Sequence, residues 1–159
     1  MQCSLIMRAA VLGLALVPLI AWSDRYKVGD SFVGFAAPDQ HGTAATFKAG
    51  DAKFILFDTP GESGESPQPQ DPAWFSNHRA LPVVNISELS FVKRKVARSR
   101  LAAKSFRLLV VDQKNVAEKF PRANGKFSMF VLDDTGNITA IKFAEPGKEL
   151  QELVTGGKP

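Results

Sequence analysis

Cysteine is almost missing from this sequence, because Cys3 is the only one among 159 residues. This residue lies in an N-terminal segment, residues 1–23, that we expect to be a cleaved secretory signal. The mature chain, residues 24–159, would then be one domain with no thiolate to act as a nucleophile and no disulfide. Thiol–disulfide exchange and thiol-based peroxide reduction are therefore excluded for the mature chain.

Long apolar runs are also scarce, and the only long one belongs to the predicted signal. Arg8 supplies a positive charge before Ala9 to Ala21, and Ala21-Trp22-Ser23 fits the small-x-small cleavage rule. A membrane anchor is the alternative, but a spanning helix needs roughly 20 apolar residues. Cys3 precedes the apolar run, which argues against a lipoprotein anchor. We therefore predict a periplasmic or secreted bacterial protein with no transmembrane segment in its mature form.

Residues that would hold a metal or cofactor are few. The two histidines, His41 and His78, have no further ligands at the spacing of a zinc site. The acidic residues around the 59–70 loop do not match the pattern of a calcium loop. No phosphate-binding glycine loop or dinucleotide fingerprint is present. We therefore predict neither a metal nor a cofactor.

What the chain does contain is a series of apolar runs that alternate with helical patterns. Continuous apolar runs predict buried strands over 53–58, 81–86 and 107–112. Capping signals and helical spacing predict helices over 73–79, 87–105, 115–120 and 146–154. Two further strands, 127–132 and 137–143, flank a turn that ends in Gly136, where a positive φ is required. This order predicts an α/β domain with at least one parallel strand pair.

The order of elements resembles the thioredoxin fold, and four stretches resemble its peroxiredoxin branch. Those stretches are Val28 to Gly42, Phe54 to Pro60, Val110 to Phe120 and Phe130 to Ile138. The resemblance implies a three-layer sandwich, in which a central mixed sheet has helices on both faces. It also implies that the loop after strand 53–58 occupies the place of the active site.

That loop departs from the family pattern at the positions that carry the chemistry. Peroxiredoxins have a threonine and then the peroxidatic cysteine after this strand, and the matching positions here are Gly64 and Pro67. A Cys-x-x-Cys motif would fall on residues 64–67, where neither cysteine is present. We therefore interpret Thr59, Pro60, Gly64 and Pro67 as a degenerate active-site loop, with no catalytic residue assigned.

Two functions from different classes follow from this interpretation. The first is a non-catalytic protein of this fold that acts by binding a partner or an anionic ligand. The alternative is a cysteine-independent enzyme with a site around Asp58 and the 59–70 loop. The missing catalytic residues favour binding, whereas a pocket of convergent polar groups around Asp58 would favour the enzyme.

A basic helix is the most unusual local feature. Seven cations and no acid fall between Lys93 and Arg107. At about 100° per residue, five of them share a face around Leu101, and we expect this face to be exposed: Lys93, Arg94, Arg98, Arg100 and Lys104. The opposite face, which is expected to pack on the core, contains Phe91, Val92, Val96 and Phe106.

This charged face has two interpretations. It is either a solvated face of a core-packed helix or a patch that binds an acidic protein or an anionic membrane surface. Nucleic acid is not expected as a partner, because aromatic residues are not interleaved with the cations.

Overall fold

A five-stranded mixed sheet forms the centre of the structure, a computed structural model that describes residues 25–58 and 71–156. The strands are β1 (Ala36–Pro38), β2 (Ala44–Thr46), β3 (Phe54–Asp58), β4 (Ala80–Asn85), β5 (Leu109–Val111), β6 (Phe127–Leu132) and β7 (Ile138–Ala144). The helices are α1 (Trp74–Asn77), α2 (Phe91–Ala102), α3 (Lys114–Ala117) and α4 (Lys148–Thr155). The central sheet has the order β5-β4-β3-β6-β7, while β1 and β2 form a separate hairpin.

The three strands predicted from continuous apolar runs are parallel to one another. β3 pairs with β4, and β4 pairs with β5, in parallel register. β6 and β7 complete the sheet in antiparallel register. Every residue of β3 and β4 is buried, because each of these strands has a neighbour on both sides and cover on both faces. The predicted α/β architecture is therefore confirmed.

The helix between β4 and β5 is shorter than the predicted range of 87–105. Asn85 Oδ1 accepts hydrogen bonds from the backbone N–H of Ser87, at 3.0 Å, and from its hydroxyl, at 2.7 Å. This local bonding holds the chain in a turn after β4, so that α2 begins only at Phe91. The strand predicted over 107–112 is also shorter, since β5 comprises only the three residues that pair with β4, Leu109–Val111.

One face of the sheet, which we call the aromatic face, is covered by the N-terminal segment, the β1–β2 hairpin and α3. The rings that pack there are those of Tyr26, Phe32, Phe35, Phe47, Phe57, Phe120 and Phe130. Phe57 of β3 and Phe120 stack with their centroids 4.0 Å apart and their planes 4° apart. Aromatic packing of this kind stabilises the core without any disulfide.

The other face, which we call the helical face, is covered by α1, α2 and α4. Phe75 of α1 and Leu150 and Val154 of α4 pack over β3 and β6. Leu101 of α2 packs over β4 and β5. Helices therefore lie on both faces, as the sandwich requires. Among the described residues, no helix combines the length and the apolar character that crossing a bilayer requires.

The predicted turn between β6 and β7 is present, and its glycine has the expected conformation. Gly136 has a φ of +84°. Asp133 Oδ1 accepts hydrogen bonds from the backbone N–H groups of Thr135 and Asn137, each at 2.9 Å. The turn thus combines a carboxylate that binds successive backbone donors with a residue that adopts a left-handed conformation at low cost.

Candidate functional site

The edge of the sheet at which the parallel strands end carries several polar residues. In open α/β sheets, ligands bind outside the carboxyl ends of the strands. β3 ends at Asp58 and β4 at Asn85, and Asp112 directly follows β5. Ser128 lies at the same edge, because it pairs with Phe57 in antiparallel register. The residues of the predicted degenerate loop, Thr59, Pro60, Gly64 and Pro67, lie outside the described residues, and their assignment stays a prediction.

The buried polar side chains at this edge point to opposite faces of the sheet. Asp58, Asn85 and Ser128 are the buried polar residues of the described chain. Successive side chains of a strand alternate between faces. Asn85 and Ser128 lie two residues from Val83 and Phe130 of the aromatic face, whereas Asp58 directly follows Phe57 and therefore points to the helical face.

The hydrogen bonds of Asn85 and Ser128 are structural. Asn85 holds the turn after β4, and the Ser128 hydroxyl donates to the Pro121 carbonyl at 2.5 Å. The described part of the edge therefore does not bring these polar groups together into one acid–base site. The alternative of an enzyme around Asp58 stays a prediction, since it depends on the 59–70 loop.

The two histidines have local roles. The Nδ1 atom of His78 lies 2.8 Å from the Trp74 carbonyl oxygen, one helical turn away. The backbone N–H of His41 donates to Asp39 in the turn between β1 and β2. Within residues 25–58 and 71–156, no three His, Cys, Asp or Glu side chains are grouped so as to hold a metal ion.

The orientation of α2 is the main correction to the sequence analysis. Leu101 is 8% exposed and contacts a cluster on the helical face, and Ala97 packs beside it. Leu101 was predicted to lie in the middle of an exposed basic face, and that prediction is wrong. The members of the cluster are Val84, Ile86, Leu108 and Val110. Arg94, on the same side of the helix, is half-buried, and so is Lys104, which lies beyond the C-terminal end of α2.

Two of the five predicted patch residues form contacts within the fold. Arg94 donates from one guanidinium nitrogen to the Ser87 carbonyl, at 2.9 Å, and to the Leu89 carbonyl, at 3.3 Å. Arg98 forms an ion pair with Asp112. Arg94 therefore joins α2 to the loop after β4, and Arg98 joins it to the end of β5. Lys93 and Arg100, also in the predicted patch, are exposed.

The opposite side of α2 faces solvent although it is apolar. Phe91 is 84% exposed, Val92 is 71% exposed and Val96 is 46% exposed. These three were predicted to pack on the core, and that prediction is also wrong. We call this surface, together with the exposed Lys93, Lys95 and Arg100, the α2 outward face. The signal that could have located it is the pair of Ala97 and Leu101, whose spacing of four residues marks the side that packs on the sheet.

Cations flank the apolar strip of the α2 outward face on both sides. At about 100° per residue, Lys95 lies on one side of Val92 and Val96 and separates them from Phe91, and Lys93 and Arg100 lie on the other side. No acidic residue occurs in the helix. The surface around Val92 and Val96 is therefore amphipathic in itself, with an apolar centre and positively charged borders.

Comparison with solved structures establishes the fold. The chain is similar to the thioredoxin domain of a thiol-disulfide oxidoreductase from Bacteroides vulgatus, with a TM-score of 0.55, 15% identity and coverage of 82% of this chain and 97% of that one. It is similar to the thiol:disulfide interchange protein DsbE from Chlorobium tepidum, with a TM-score of 0.52, 15% identity and coverage of 82% and 94%.

The chain therefore has a thioredoxin-like α/β fold, as the sequence predicted. No protein-family model and no curated protein matches the sequence. The single cysteine of the chain, Cys3, precedes the described residues, so that the described fold contains no catalytic cysteine. The resemblance to thioredoxin-like proteins that lack the catalytic cysteines is thereby confirmed.

Proposed function

We propose that this protein is an exported, non-catalytic member of the thioredoxin-like fold that binds an anionic membrane surface through the α2 outward face. The observation that carries the proposal is the exposure of Phe91, Val92 and Val96 on a helix without acids. Apolar side chains grouped on a surface are typical of sites that bind another protein or a membrane. The signal predicted over residues 1–23 would deliver the protein to a compartment bounded by anionic lipid.

The arrangement of charge favours a lipid surface as the occupant. Helices that bind at the membrane interface place apolar residues toward the acyl chains and lysines or arginines at the level of the phosphates. Lys95 on one side and Lys93 and Arg100 on the other match that arrangement, and lysine binds phosphate without a fixed geometry. Each exposed cation near an anionic surface contributes about 1 kcal/mol of binding free energy.

Sedimentation with lipid vesicles tests the proposal. Mature protein is mixed with vesicles that contain phosphatidylglycerol, and in parallel with vesicles of phosphatidylcholine alone. We expect binding to the anionic vesicles at low ionic strength and a large loss of it near 1 M salt, where the Debye length falls to about 3 Å. Equal binding to both vesicles, or no binding to either, would contradict the proposal. Binding to an acidic protein but not to anionic vesicles would replace the membrane by a protein partner.

A further inference from the structure

A cleft of about 580 Å³ opens on the helical face at the edge where the parallel strands begin. It lies between α1 and the segment that joins α2 to β5, at the opposite end of the strands from Asp58. We propose that this cleft binds a small amphipathic anion, namely a molecule with an apolar body the size of one ring and a single oxyanion group. This site is separate from the α2 outward face and does not depend on the function proposed for it.

The floor of the cleft is apolar. Phe75 of α1 and Phe106 line it with rings whose centroids are 4.4 Å apart and whose planes are inclined by 34°. Ala80 of β4, which belongs to the same face of the sheet, also lines the cleft and is buried. The volume falls within the roughly 300–1,000 Å³ of small-ligand pockets, which combine an apolar lining with a few polar groups. An apolar ring therefore has both the space and the surface that it needs.

The rim of the cleft is positively charged. Arg79 and Arg107 line it, and Asp51 is the one acid among the lining residues. The Asp51 carboxylate accepts a hydrogen bond from the backbone N–H of Lys48 at 2.9 Å, which holds it in the turn before β3. The lining thus has a net charge of one positive unit. Two guanidinium groups of this kind recognise carboxylate, sulfonate or phosphate oxygens through paired donors.

Arg79 has an uncommon backbone conformation, and hydrogen bonds hold both its carbonyl and its side chain in position. Its φ is +50°, which makes it the only residue other than glycine with a positive φ in the described chain. Its carbonyl accepts hydrogen bonds from the backbone N–H groups of Lys53, at 2.7 Å, and Phe54, at 3.2 Å. The guanidinium donates to the Gly50 carbonyl at 2.9 Å. One of the five donors of an arginine is used in this way, so that the side chain is fixed while further donors remain for an oxyanion.

A spectroscopic titration tests the proposal directly. Uniformly ¹⁵N-labelled mature protein is titrated with benzenesulfonate, with inorganic phosphate and with benzyl alcohol, each up to about 10 mM, a range that detects millimolar affinity. We expect benzenesulfonate to shift the amide signals of Ser76, Ser105 and Phe106 in a saturable way. Phosphate and benzyl alcohol should each bind at least about tenfold more weakly, because each has only half of the complementary chemistry.

Two variants and a matched control locate the binding. Arg79→Gln and Arg107→Gln should each weaken benzenesulfonate binding by roughly tenfold. Lys126→Gln, which removes an exposed cation at the opposite edge of the sheet, should leave it unchanged. If Arg79→Gln perturbs the spectrum of the whole domain, Arg107→Gln alone decides the question.

Three results would overturn the proposal: no saturable shift at these amides, equal binding of inorganic phosphate, or equal losses in the control variant.

Discussion

Arg98 of α2 and Asp112, which directly follows β5, form an ion pair that joins the helix to the end of a central strand. The side chains are 43% and 29% exposed, so that solvent screens their attraction. We expect Arg98→Gln to lower the free energy of unfolding by up to about 1 kcal/mol. A double-mutant cycle with Asp112→Asn, measured by urea denaturation, should give a coupling energy of about 0.2–1 kcal/mol that decreases with salt.

Lys95 provides the control for this cycle, because it lies on the same helix and faces solvent. A cycle of Lys95→Gln with Asp112→Asn should show no coupling. If the two cycles give the same value, the contribution of Arg98 is only a general effect of charge, and the pairing with Asp112 does not stabilise the fold.

Substitution of the turn glycine, Gly136, is expected to lower the stability of the fold. A Cβ atom on Gly136 would lie 2.6 Å from Val33 Cγ2, and the backbone already has a φ of +84°. Gly125 has a φ of +71° with nothing within 4 Å of such an atom, so that alanine at this position measures the free-energy cost of the backbone conformation alone. We expect Gly125→Ala to lose about 1 kcal/mol and Gly136→Ala to lose more, as measured by urea denaturation. A smaller loss for Gly136→Ala would show that the close approach to Val33 is not rigid.

Two carboxylates make the stability of the turns depend on pH. Hydrogen bonding to the backbone N–H of Thr43 is the largest cause that lowers the pKa of Asp39 below 3.8. For Asp133, the largest cause of a pKa below 3.8 is the hydrogen bond from the Thr135 hydroxyl. A pKa that is lower in the folded state means that the folded state favours the charged form. Its contribution is therefore complete above pH 3.8 and is lost as the pH falls through the folded-state value.

Asparagine variants measure this contribution. The urea midpoints of Asp39→Asn and Asp133→Asn should lie below that of the parent near pH 6 and approach it as the pH falls through the lowered folded-state pKa values, where the parent carboxylates become protonated. Midpoint differences that stay constant over this range would show that the charge of these carboxylates does not contribute to stability.

Residues 24–159 contain no cysteine, which leads to a prediction about redox activity. Residues 24–159, prepared without the predicted signal, should neither reduce insulin disulfides nor consume peroxide with a thiol donor, because no side chain can form the mixed disulfide. The full chain and its Cys3→Ser variant show whether Cys3 reacts when it is retained. Turnover by residues 24–159 above the rate of buffer would contradict the assignment to a non-redox class.

The central strands could be predicted from the sequence because a continuous apolar run indicates a buried strand without any information on its neighbours. Between Lys53 and Asp58 the run contains only apolar residues, as expected of a strand that lies between two other strands. The order of strands, helices and turns then limits the topology to a few alternatives, of which the resemblance to thioredoxins selects one.

The orientation of α2 could not be predicted in the same way, because the helix has apolar residues on two sides. Phe91, Val92 and Val96 outweigh Ala97 and Leu101 in apolar surface, so that the pattern favours the wrong side. Packing decides the matter, since a small alanine next to a leucine lets the helix approach the sheet. The cleft could not be predicted from the sequence either, because Arg79 and Arg107 line the same cleft only through the parallel pairing of the strands that follow them.

The most direct test of the central claim compares two triple variants in the vesicle assay. Lys93→Gln, Lys95→Gln and Arg100→Gln together remove the cations of the α2 outward face. Each contributes about 1 kcal/mol, so that affinity for anionic vesicles should fall roughly a hundredfold. The matched control removes three exposed cations elsewhere, at Lys48, Lys119 and Lys126. The account predicts little loss for the control. Equal losses in the two variants would show that net charge alone drives binding, and would contradict a site on α2.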